Sequence, residues 1–205
     1  MRFFYLLLLI CSLSCSKKTS KFTIIGSIRD SSLDEYLSNA TVSIYKKIQG
    51  NSFETIIGTT STNSQGHYCF TFDRDKSEKY ILKISKDNYF NNEEIILISS
   101  LTIEGENIRN YSISAKSWVK LHFKNIDPKP EDQLRYMKQE GKILCDECCP
   151  IDYQYIYGSA DTSIYCINDG NTNFSYIYAV IGTLNQAIKS IKTIPFDTTE
   201  IYLEY

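Results

Sequence analysis

His67-Tyr68-Cys69-Phe70-Thr71-Phe72 alternates: in an extended chain Tyr68, Phe70 and Phe72 share one face, and His67, Cys69 and Thr71 share the other. The turn before it, Asn63-Ser64-Gln65-Gly66, ends on the glycine that supplies the positive φ a hairpin loop often needs. The same period of two recurs upstream in Phe22–Arg29, Thr41–Lys47 and Phe53–Thr60, and downstream in Tyr80–Lys86 and Ile95–Leu101. Beyond Glu104-Gly105-Glu106-Asn107 it continues in Ile108–Ser114, Ser117–Asn125, Tyr153–Tyr157, Ser163–Ile167, Phe174–Ile181, Ala187–Ile194 and Thr199–Glu204. Short alternating runs split by turn residues such as Lys86-Asp87-Asn88 and Asn168-Asp169-Gly170 define an all-β chain. Sixteen tyrosines and ten phenylalanines agree with strands rather than helices. The helix candidate is Pro130–Gln139; Leu134 and Tyr136 alternate there, so it reads as strand or loop, and 126–152 stays open. Strands and helices do not alternate along the chain, which argues against a parallel α/β sheet. No fixed-period repeat shows.

The N-terminus has a different character. Arg2 precedes an apolar run from Phe3 to Leu13, and small residues lead to Cys15; this is the layout of a secretory signal. The run is too short to cross a bilayer as a helix, which takes about 20 apolar residues. Ser12-Leu13-Ser14-Cys15 resembles the lipobox of bacterial lipoproteins, although Ser12 stands where leucine is usual. The resemblance implies cleavage before Cys15 and lipid on that cysteine, with Ser16–Lys21 as a polar tether. The expected architecture is therefore all-β, with two consecutive β-sandwich domains after a lipoprotein signal peptide. Its parts are a signal at 1–14, a tether at 15–21, one sandwich at 22–102 and a second at 108–205.

Residues 22–90 carry a further resemblance. The motifs are Ile25-Gly26-Ser27-Ile28-Arg29-Asp30, Leu37-Ser38-Asn39-Ala40-Thr41-Val42-Ser43-Ile44-Tyr45, the segment Thr59–Phe70, and Tyr80-Ile81-Leu82-Lys83-Ile84 with Asn88-Tyr89. They resemble the carboxypeptidase regulatory-like (prealbumin-like) domain of secreted bacterial proteins. The resemblance implies a seven-stranded sandwich with no catalytic residues of its own. Some relatives form a lysine–asparagine isopeptide bond, but no lysine lies between Phe22 and Ile28 to carry it over. The second half is similar in style to the C-terminal sandwiches of Bacteroidota lipoproteins.

Four cysteines mark the second half: Cys145, Cys148, Cys149 and Cys166. In an exported protein disulfides are the default, and the strain of a Cys148–Cys149 bridge favours Cys166 joined to one of the cluster. A zinc site is the alternative, with Cys145 and Cys148 at ligand spacing and Cys149 or His122 completing a tetrahedron with Cys166. Cys69 reads as a lone thiol. His67 and His122 have no G-x-S-x-G nearby and no recognisable acid partner, so a serine triad is unsupported. Asp30, Asp34 and Glu35, like Asp127, Glu131 and Asp132, read as solvated turn carboxylates. Asn168-Asp169-Gly170-Asn171 reads as a hairpin turn rather than a calcium loop. Tyr153, Tyr155, Tyr157, Tyr165, Tyr176 and Tyr178 read either as cross-strand pairs or as a carbohydrate or protein contact surface.

Removing residues 1–14 takes away Arg2 alone among charged residues, leaving 21 basic and 24 acidic side chains and a net charge of −3. That balance gives no footprint for nucleic acid. The resulting expectation is a non-enzymatic accessory or binding lipoprotein, held to a membrane through Cys15 and carrying no cofactor, with a protein or glycan partner. Lys17-Lys18 after the lipidated cysteine points to the outer membrane, facing the periplasm. The alternative is a secreted metal-dependent hydrolase using the cysteine cluster or an acidic loop.

Overall fold

The computed structural model describes residues 20–48, 50 and 52–205; the signal segment, Cys15 and residues 16–19 of the tether lie outside the described residues. The described chain is built of strands, with one 3-10 turn at Ile98–Ser100. The first part contains β1 (Lys21–Asp30), β2 (Glu35–Tyr36), β3 (Thr41–Ile48), β4 (Glu54–Ser61), β5 (His67–Asp73), β6 (Ser77–Ser85), β7 (Asn92–Leu97), β8 (Glu106–Ile108) and β9 (Tyr111–Ile113). One sheet centres on β1, with β5 and β2 antiparallel on one flank and β8 and β9 parallel on the other. The other runs β4-β3-β6-β7. Between them lie Ile24, Ile28, Val42, Ile44, Tyr68, Phe70, Leu82 and Ile84, the residues whose alternation pointed inward. Phe22, Phe72 and Tyr80 close one end, with Phe72 and Tyr80 in edge contact at 4.9 Å.

The second part contains β10 (Lys116–Lys124), β11 (Gln133–Glu140), β12 (Gln154–Tyr157), β13 (Asp161–Asp169), β14 (Asn173–Val180), β15 (Gln186–Lys192) and β16 (Thr198–Glu204). Its sheets run β13-β10-β16 and β12-β11-β14-β15 over a separate core of Val119, Leu121, Phe123, Tyr136, Phe174 and Tyr176. This is the first topology again. In each part the first strand is central, the last lies parallel to it, an antiparallel strand flanks it, and a four-stranded sheet covers the face. The chain thus holds a structural repeat that its sequence does not display as a fixed period.

The segment around Leu134 and Tyr136 is a strand, one of the two readings its alternation allowed, and β11 sits inside its sheet between β12 and β14. One expectation changes. The separation between the parts falls later than 102–108. Glu104-Gly105-Glu106 reads as a charged linker, yet the chain re-enters the first sheet at once. The buried Asn107 side chain donates to Thr23 O and Thr102 O, both at 3.0 Å, and β8 and β9 then follow β1. Ile113 and Ala115 belong to the first core.

Ser114 and Ala115 alone separate β9 from β10, and both are bonded across the junction. Ala115 N donates to Ser32 Oγ at 3.0 Å, Gly170 N donates to Ala115 O at 2.8 Å, and Ser114 Oγ donates to the Asp169 carboxylate. Asn171 Nδ2 donates to Ser32 O at 2.8 Å, and Lys116 N to Asn88 O at 2.7 Å. The Tyr89 and Phe196 rings meet at 5.3 Å. These groups come from the end of the first sandwich where β1 finishes and the end of the second where β10 begins, so the sandwiches stack head to tail. The start of β1 is at the opposite end.

Candidate binding surface

The tyrosines separate by face. Tyr176 and Tyr178 point into the second core beside Tyr136, whose hydroxyl burial pushes up to about 12. Tyr153, Tyr155, Tyr157 and Tyr165 are exposed. On β12 the register pairs Tyr157 with Gln133 and Tyr155 with Arg135, which places both rings on the outer face of the four-stranded sheet. Their rings lie 6.3 Å apart and nearly parallel, at 20°. The Arg135 guanidinium sits over the Tyr153 ring at 4.7 Å, a cation–π contact. An apolar row, Met137–Ile177–Ile188, crosses the same face on β11, β14 and β15. The first sandwich carries its counterpart in Tyr45–Ile81–Ile95. Arg135 and Met137 do not stand out in the sequence, because β11 is only half legible there. Its signal is the alternation Leu134, Tyr136, Lys138, and the lysine in a core position disguises it.

Lys138 is buried and without a carboxylate; its ammonium donates to Lys142 O at 2.6 Å and Cys149 O at 2.7 Å. Burial pushes its pKa down. It thereby ties the cysteine loop to the sheet. Within that loop Cys145 is bonded to Cys148, and Cys149 to Cys166 on β13; Cys69 is free and exposed. Cys166 thus bonds the cluster through Cys149. Among the described residues no group of three or more His, Cys, Asp or Glu is arranged to hold a metal ion.

His122 does have acid partners, contrary to the sequence reading, because β13 and β16 bring them from distant positions. Its Nδ1 lies 3.0 Å from Glu200 Oε1 and its Nε2 2.7 Å from Asp161 Oδ1. His122 and Lys124 hold the Asp161 carboxyl below the usual carboxylate range, and Lys120 and His122 do the same for Glu200. Ser163 is opposite His122 in the ladder, but both ring nitrogens are committed to carboxylates, and a triad needs one facing the hydroxyl. His67 stacks on Tyr36 at 6.1 Å. Asp30 is a second correction. It is not solvated but 1% exposed, accepting bonds from Ser32 N at 2.7 Å, Leu33 N at 3.2 Å and Tyr89 Oη at 2.8 Å. Asp34, by contrast, pairs with Arg29 at the surface, and Asp132 accepts from Lys129 N and Asn125 Nδ2 at 2.9 Å each. Asn168–Asn171 turns the chain from β13 into β14, but the two strands lie in different sheets and do not pair, so the turn is a crossover between sheets and not the hairpin expected.

No family model matches this chain, and no curated protein does. Among solved structures it is similar to the Bacillus anthracis TIE protein at 13% identity, over 90% of this chain and 34% of that one, with a TM-score of 0.40. It spans about a third of that protein's length. It is also similar to the shaft pilin SpaA from Lactobacillus rhamnosus GG at 10% identity, over 91% of this chain and 97% of that one, with a TM-score of 0.35. Catechol 1,2-dioxygenase from Acinetobacter sp. ADP1 matches at 11% identity over 50% of this chain and 55% of that one, with a TM-score of 0.37. Likenesses this distant carry no function. The chain is an all-β protein of tandem sandwiches on the strength of its own strand pairing.

Proposed function

We propose that this chain is a lipid-anchored envelope protein whose two sandwiches form a stiff, non-catalytic spacer carrying a binding surface away from the membrane. One observation carries the reading. In the sequence the residues that follow Cys15 lead directly into β1, while the second sandwich is docked at the other end of that strand through a two-residue junction hydrogen-bonded on both sides. A flexible linker would let the second sandwich fold back; Ser114-Ala115, bonded on both sides, does not. Within this reading the first sandwich is a carboxypeptidase regulatory-like domain, and the anchor is in the outer membrane facing the periplasm.

Fractionation of cells tests the anchor. The wild-type chain should pellet with membranes, and Cys15→Ala should release it or leave it unprocessed. A correctly cleaved Cys15→Ala chain that still pellets would overturn the proposal. Protease added to intact cells should leave the wild-type chain uncut; cleavage would place it at the surface instead.

A further inference from the structure

We propose that the outer face of the β12-β11-β14-β15 sheet binds an acidic polysaccharide strand. The first ground is the ring geometry. Tyr155 and Tyr157 are 46% and 65% exposed, with their rings 6.3 Å apart and within 20° of parallel. A row of parallel aromatic faces matches the flat C–H faces of successive sugar rings, which pack against π-faces as other apolar groups do. These rings are not needed by the core, which Tyr136, Tyr176 and Tyr178 already fill. They stand on an edge strand, open to solvent at the rim.

The second ground is charge complementarity. Glu140, opposite Ser175 and accepting from its hydroxyl at 3.3 Å, is the one carboxylate pointing outward from these four strands, against two cations, Arg135 and Lys192. Neither forms an ion pair among the described residues, although the chain as a whole has a net charge of −2. The opposite sheet of the same sandwich is different, with Asp161, Glu200 and Glu204 answering Lys120, His122 and Lys124. The Tyr153 ring holds the Arg135 guanidinium by its face at 4.7 Å, leaving the N–H edge to grip a carboxylate. Arg135 pairs with Ala179, and Lys192 with Asn173 at the other end of β14. Six residues of strand separate them, about 20 Å at about 3.3 Å per residue, which suits a polymer rather than a single small anion. The inference concerns a ligand class and does not depend on the anchor.

Native gel electrophoresis of the full chain in mild detergent, through gels containing polygalacturonate, hyaluronate or neutral dextran, tests it. Retardation is expected in at least one acidic gel and not in dextran. Tyr155→Ala with Tyr157→Ala should weaken that retardation about tenfold, a loss of about 1.4 kcal/mol. Arg135→Gln should weaken it and flatten its dependence on salt. An unchanged Tm would show that the exposed rings were removed without unfolding. The proposal is overturned by retardation in neither acidic gel, by equal retardation in dextran, or by retardation that the variants leave intact. Binding confined to phosphatidylglycerol vesicles would overturn it as well.

Discussion

Gly26 is where a single atom decides the fit of the first sheet. A Cβ there would lie 1.6 Å from Arg109 O, a carbonyl that enters the sandwich between β8 and β9 to accept the Tyr68 hydroxyl at 2.8 Å. Backbone cannot yield as a side-chain tip can, so Gly26→Ala should cost about 3 kcal/mol, the upper end of overpacking. Denaturant unfolding would show it, and a wild-type midpoint would mean that β8 and β9 are not held against β1. Charge acts at the same scale around His122. The Asp161 carboxyl is held low chiefly by its hydrogen bond to His122, so the folded form binds that proton less readily than the unfolded chain. The stabilisation is complete above the unfolded value, about pH 4, and is lost as pH falls through the lower folded value. Replacing His122 with Ala should move the Asp161 titration up towards pH 4, readable in its carboxyl carbon shift. An unmoved titration would put the effect on Lys124 alone.

At the level of elements, β11 shows how far the alternation can be read and what interrupts it. Leu134 and Tyr136 announce a strand, and the structure makes one, but Lys138 continues the inward positions with a charged group. The partners that make this burial tolerable, Lys142 O and Cys149 O, come from an irregular loop that has no sequence signature. Lys138→Ala should leave both carbonyls without this donor, at about 1–3 kcal/mol each where they stay dry. Hydrogen exchange should then rise across residues 142–149 while β14 stays protected. If exchange in that loop does not change, the lysine is not its tie. The regular strands were legible because a sheet with one buried face enforces period two. The core of the first sandwich was legible for the same reason: Tyr68, Phe70 and Phe72 lie on the side the alternation assigns. Asp30, the His122 clamp and the end of the first sandwich were not. Each depends on a partner brought from far along the chain: Tyr89 for Asp30, Glu200 for His122, and β1 for β8. The tyrosine surface lies between the two cases. Alternation puts Tyr153, Tyr155 and Tyr157 on one side, but only the pairing with β11 shows that side to be the outer one.

Over the whole molecule the two sandwiches share a topology and differ in how they are held. Domains of this size bury only about 60–65% of their extended surface and are marginal on packing alone. The first has one cysteine among the described residues, Cys69, free and exposed, so it relies on its core of Phe22, Ile24, Tyr80, Leu82 and their neighbours. The second is stapled. Cys149 and Cys166 lie 17 residues apart in sequence, and both are part of the core. Closing a loop of that length is worth about 3 kcal/mol in the chain-entropy model, whereas the three-residue separation of Cys145 and Cys148 constrains far less of the unfolded chain. A reductant should therefore lower the unfolding temperature of the second sandwich and leave the first nearly where it was. Hydrogen exchange would assign the loss: β13 and β14 should open under dithiothreitol while β3 and β6 stay protected. The junction sets how clean the separation is. Once the second sandwich melts, Ala115, Ser32 and Tyr89 lose their partners, so the first should fall slightly and only after the second. Mass mapping of protein isolated from its own cells without reductant should find Cys149 joined to Cys166 and Cys69 free. Four free thiols in the second half would sink this account and return the cluster to the metal site.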